Sequence, residues 1–148
     1  AGIAPELARP AAVLAAGLEG ARQLGESEAF ADARNLMLQL AKEVWKDWPL
    51  VLITVQQTLF KANREPDLPM MADLWALWFK DMVSLSCGRK ENLVFIDQLN
   101  WMTEYAWRRD TAFWIRGMEL ALELKKHLRF HANPQLALEK FIMEWQGG

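Results

Sequence analysis

Apolar residues recur along this chain every three to four positions and rarely at every second position, which is the spacing of helices rather than strands. The one β-branched run, VLITV at 51–55, is flanked by helix formers and continues into QQTLFKAN, so the helical period carries through it. Upstream, PELARPAAVLAAG reads as a helix closed by Gly17, and LEGARQLG as a very short one ending at Gly25. Ser27 is an N-cap for a long helix through Asp47, with Phe30, Ala33, Met37, Leu40, Ala41 and Val44 along one face. Pro49 starts the next helix, which runs to about Ala62, and NREPDLP is a loop of turn formers and charges.

From Pro69 to Cys87 the pattern widens. Met70, Met71, Leu74, Trp75, Leu77, Trp78, Phe79, Met82, Val83 and Leu85 wrap most of the helix girth, more than one core-facing stripe requires. Such a helix is either central in its own domain or covered by a partner. Gly88 stands where a helix-ending glycine belongs. The stretch ENLVFIDQLNWMTEYAWRR holds a turn and a helix carrying Leu99, Met102, Tyr105 and Ala106. Asp110 caps a following helix striped by Phe113, Met118, Ala121, Leu124 and Leu128. Asn133 and Pro134 open the last helix, anchored by Leu136, Leu138, Phe141, Ile142 and Trp145. The expected fold class is all-α, a compact bundle of about six to eight helices.

Composition narrows the function classes. A net charge of −2 argues against a protein that coats nucleic acid. Locally, Arg108, Arg109, Arg116, Lys125, Lys126 and Arg129 outnumber Asp110, Glu119 and Glu123, a candidate phosphate-contacting face whose simpler reading is a solvated helix. The single cysteine, Cys87, allows no intramolecular disulfide and suits a reducing cytoplasm, where the chain is expected to reside. Apolar runs such as WPLVLITV are far too short to span a bilayer, and no secretory signal is visible, so no membrane partner is expected. The abrupt opening AGIAPELARP is read as the start of a fragment of a longer protein. Eight tryptophans and seven methionines exceed the evident needs of one small core and point to a surface buried by neighbours, with a tightly packed monomer as the competing reading.

Chemistry is sparse. A phosphate-binding glycine loop is absent from the sequence. Glu123, His127 and His131 follow one another at four-residue steps and offer a metal stripe on one helix face; equally, both histidines suit the negative end of a helix dipole. Cys87 near a helix C-terminus is poorly placed for a thiolate. No catalytic residue, cofactor or resident metal is assigned, and the chain is read as non-enzymatic.

The final stretch HANPQLALEKFIMEW resembles the ending of clamp-loader subunits of bacterial DNA polymerase III, through Asn133, Pro134, Leu136, Ala137, Leu138 and Glu139, with Gln135 where Arg is common. LWALWFKDMVSLSCGRKENL resembles the family's apolar helix with a Trp-Phe-Lys/Arg-Asp element, here Trp78, Phe79, Lys80 and Asp81. LAAGLEGARQLGESEAF is similar to the end of the family's AAA+ lid subdomain: Gly17 and Gly20 match, Leu18 replaces Ser, and Arg22 falls one place late, so no ATP-sensing role is assigned to it. The resemblance implies residues 1–25 as the end of the lid and 26–148 as a helical collar domain. It implies assembly with other clamp-loader subunits, the gamma/tau motor and delta, so that the complex loads the sliding clamp during DNA replication, with DNA contact at most indirect or weak. Trp75, Trp78 and Phe79 are then expected to be divided between core and subunit interface. The alternative is a small helical metal-dependent hydrolase built on Glu123, His127 and His131.

Overall fold

Ser27 fixes the start of the first long helix, its hydroxyl accepting from the Phe30 backbone N–H at 3.4 Å. In the computed structural model, which describes residues 6–8, 10, 27–59, 67–130 and 133–147, this helix is α1 (Glu28–Thr54). It bends at Asp47, whose backbone is extended at φ −158° and whose carboxylate accepts from the Leu50 N–H at 3.4 Å. Asp47 therefore ends one arm and caps the next, with Pro49 in the first turn where its missing N–H costs nothing. The helix end expected at Asp47 is a bend between two arms. Beyond Thr54 the chain widens into a π turn, Val55–Leu59. The expected end near Ala62, the turn residues 63–66 and the two short N-terminal helices lie outside the described residues, apart from a helical Glu6–Ala8.

Helix α2 (Leu68–Ser86) is capped by Asp67, which accepts from Met70 N at 3.1 Å. It ends at Gly88, whose φ of 75° lies in the left-handed region where glycine carries no Cβ penalty. The Arg89 N–H then turns back to the Ser84 carbonyl at 2.9 Å. A single 3₁₀ turn (Ile96–Gln98) leads into α3 (Leu99–Ala106). Asp110 caps α4 (Thr111–Arg129) by accepting from Phe113 N at 2.9 Å, and Asn133 caps α5 (Pro134–Gly147) by accepting from Leu136 N at 3.2 Å. The described residues form an all-α bundle without strands.

Helix α2 is the central element: it packs against α1, α3 and α4, while α4 carries α5, which returns to α1. Its apolar girth is consumed by these neighbours. Trp78 is the hub, with the rings of Phe79, Trp101, Tyr105, Trp114 and Trp145 at centroid distances of 5.0 to 6.0 Å. Most of these pairs are edge-to-face or tilted, the arrangement that aligns ring edges with ring faces. Gly117 lets α4 approach this cluster. A Cβ there would come within 3.0 Å of three ring atoms of Phe79, so only a bare backbone fits against the ring.

Two polar neighbours on α2 pin the loop that follows it. Asp81 is fully buried and accepts from Val94 N at 2.9 Å and Phe95 N at 2.8 Å, while Lys80 donates to the Asn92 carbonyl at 3.2 Å. The Trp-Phe-Lys-Asp element thus divides its labour, two rings for the core and two charges for the loop. Asn92, with φ 59°, makes the left-handed turn that Asn tolerates better than most residues.

Candidate functional site

Trp75, Trp78 and Phe79 have no accessible surface. Trp75 packs on Phe141 and Trp145 of α5, and Phe79 on Trp114, Phe141 and Trp145, so the rings of all three are enclosed within the chain, although the indole N–H groups of Trp75 and Trp78 have no acceptor there. The expected division between core and interface therefore falls wholly to the core in this fold. The reason is the central position of α2, which periodicity alone leaves open.

Glu123 and His127 do share a face of α4, at a narrow groove against α5 that also has Lys140 and Glu144 on its walls. The groove holds only about 10 Å³, room for roughly one water. Glu123 lies 3.6 Å from the Arg116 guanidinium, and Arg116 also reaches Glu119 at 3.3 Å and Glu144 at 3.9 Å. His131, the third member of the predicted stripe, lies outside the described residues. Among the described residues no three His, Cys, Asp or Glu side chains converge as metal ligands.

Three of the six basic residues between Arg108 and Arg129 pair with carboxylates at the surface. Arg108 meets Glu104 at 3.3 Å, Arg116 the three glutamates, and Lys125 reaches Asp73 of α2 at 2.7 Å. Arg109 lies over the Phe113 ring at 4.6 Å. These exposed pairs contribute little stability each and mix the charge of the face, while Lys126 and Arg129 form no ion pair with the described residues.

The outward faces of α4 and α5 carry a different signal. Ile115 and Leu122 stand seven residues apart on α4, 44% and 56% exposed, opposite the buried stripe of Phe113, Gly117, Leu120 and Leu124. Leu136 and Met143 repeat the spacing on α5 at 63% and 54%, opposite Ala137, Leu138, Phe141 and Trp145. Seven residues advance a helix by about two turns, so each pair lies along one outward line, with Glu119 between the first two and Glu139 and Lys140 between the second two. Leu136, expected as a core anchor, faces out because the cap at Asn133 fixes the phase of α5 and the core face is filled by its neighbours. Trp107 is 72% exposed, yet its indole N–H donates to the Leu85 carbonyl at 3.2 Å, which holds the ring in place.

A polar cleft of about 360 Å³ lies where α1 faces the 3₁₀ turn, lined by Glu6, Arg34, Asn35, Leu38, Gln39, Lys42, Asp97 and Gln98. Arg34 is buried and ion-paired to Asp97, 63 residues away, with its guanidinium over the Phe95 ring at 5.4 Å. Nothing local announces this pair. The one early hint is an arginine on the otherwise apolar face of the first helix. Elsewhere in the core, burial pushes the phenol of Tyr105 well above its ordinary pKa, while Arg109 and the Trp145 indole pull weakly the other way.

No helix among the described residues is long and apolar enough to cross a membrane. Comparison with known proteins gives no match for this chain, whether against protein-family models, curated proteins or solved structures.

Proposed function

We propose that this chain is a non-catalytic helical assembly module, the C-terminal collar of a delta-prime-type subunit of a DNA polymerase III clamp loader. The observation that carries the reading is the pair of outward apolar stripes, Ile115/Leu122 and Leu136/Met143, on helices whose inward faces are already filled. A core complete without them leaves these side chains for a neighbour, and the centres of interfaces are more apolar than the surrounding surface and enriched in Met. The helix architecture and the capped Asn133-Pro134 start of α5, within the stretch that resembles the clamp-loader ending, support the same reading. On it, neighbouring gamma/tau and delta collars cover the stripes, and the module acts as scaffold for clamp loading.

The test is the light-scattering mass of the full chain, alone and mixed with purified gamma/tau and delta subunits. A defined heteromeric mass is expected, lost in Leu136→Asp/Met143→Asp while the melting temperature of the chain alone is kept. A chain that remains free beside assembled partner subunits refutes the reading.

A further inference from the structure

At the cleft beside α1, a buried charge, free polar groups and open volume coincide. Arg34, Leu38 and Lys42 lie at successive four-residue steps and so build one wall from a single helix face. The opposite wall is ordered by a relay of hydrogen bonds. The Trp101 indole donates to Gln98 Oε1 at 2.7 Å, and Gln98 Nε2 donates to Asp97 Oδ2 at 2.9 Å. Asp97 Oδ1 in turn accepts from Arg34 Nη2. Both oxygens of Asp97 are thereby engaged, and the guanidinium is held between this carboxylate and the Phe95 ring.

Arg34 nevertheless retains donors that the fold does not use. Its Nε is buried without an acceptor, and a buried donor left unmet is costly to the fold. Lys42 lies over the Trp101 ring at 5.3 Å and makes no ion pair with the described residues, and Asn35 is exposed on the same wall. Two cations and a free carboxamide therefore face a cleft large enough for a small molecule.

We propose that this cleft binds a small molecule through one compact anionic group, a carboxylate or a phosphate monoester, gripped by Lys42 and Arg34 with Asn35 as a neutral donor. Arginine and lysine together supply the charge-assisted bonds that favour such groups. Glu6 on the same lining, with Asp97 already paired to Arg34, leaves too little net positive charge for a polyanion, so a nucleic-acid backbone is the wrong ligand. The site is independent of the assembly stripes, since none of its residues belongs to α4 or α5.

The experiment is a titration of the isotopically labelled full chain with inorganic phosphate and, separately, sodium acetate, each against sodium chloride at equal ionic strength. The Asn35 and Gln39 side-chain amides and the Arg34 Nε–H are the reporters. Saturable shifts with one anion support the site and name the group it takes; saturation with both assigns the shared chemistry. Lys42 is exposed, so Lys42→Ala keeps the fold and is expected to weaken binding about tenfold or more. Shifts no larger than those with chloride, or unchanged affinity in Lys42→Ala, overturn the proposal.

Discussion

Replacing Gly117 by alanine sets two effects of opposite sign against each other. On an exposed helix surface the change would stabilise by about 1 kcal/mol, because glycine is the poorer helix former. Here the new methyl meets three ring atoms of Phe79 inside 3.0 Å. That ring cannot swing aside freely, since Trp78, Trp114, Phe141 and Trp145 surround it at centroid distances of 5.0 to 6.3 Å. Overpacking of such a site costs about 1–3 kcal/mol and more where nothing yields, so the net expectation is a loss of about 2 kcal/mol. For a chain of this size that lowers Tm by about 4–8 °C. Urea unfolding followed by tryptophan emission measures it, and Phe79→Leu in the Gly117→Ala background is the partner experiment. By removing the obstructing ring atoms, Phe79→Leu is expected to cost less in that background than in the parent chain, a coupling of about 1 kcal/mol. A Gly117→Ala protein as stable as its parent, or a coupling of zero, would show that α4 and α2 do not meet through this contact.

Asp81→Asn keeps the shape but replaces a charged acceptor of two backbone N–H groups by a neutral one, and is expected to lower stability by about 1–3 kcal/mol in the same urea assay. Trp78→Ala removes the hub of the core and is expected to cost about 3–5 kcal/mol, whereas Trp107→Ala, truncating an exposed ring with one backbone hydrogen bond, should cost about 1 kcal/mol or less. Equal losses in the two would overturn the division of tryptophans between core and surface. Tyr105 is the chain's only tyrosine, so phenolate absorbance reports it alone. Its folded pKa is raised, so the folded state holds a proton that the unfolded chain releases; the associated stability is intact below about pH 10 and falls above it by up to about 1.4 kcal/mol per pH unit. Phenolate appearing near pH 10 ahead of the loss of helix signal would contradict the burial.

Much of the fold is written in local punctuation. Ser27, Asp110 and Asn133 act within three residues of themselves, and Gly88 within its own turn, so their roles survive whatever surrounds them. Asp47 and Pro49 mark a break correctly, although the chain bends there instead of separating. The girth of α2 is legible as burial, but not what buries it. Half of the tryptophans that read as partner surface, Trp75, Trp78, Trp114 and Trp145, are internal because α1, α3, α4 and α5 all supply rings or aliphatic contacts to one centre. The outward stripes were hidden for the converse reason: Leu136 is indistinguishable by type from Leu138, and only the phase of α5 separates them. The cleft depends on Arg34 meeting Asp97 across 63 residues, a contact that no spacing within one helix encodes.

The ring cluster has an optical consequence. Trp75, Trp78, Trp101, Trp114 and Trp145 form a connected set, each within 6.4 Å of at least one other indole centroid, and they come from α2, α3, α4 and α5. Indoles held so close in fixed, chiral relative orientations share their electronic excitations, so a large part of the near-ultraviolet circular dichroism of this protein belongs to the set and not to separate side chains. That shared part exists only when four helices are docked in register. A state that keeps its helices but loses that register would be dark in the near-ultraviolet while unchanged in the far-ultraviolet, and the molecule thereby reports the moment its tertiary order is lost.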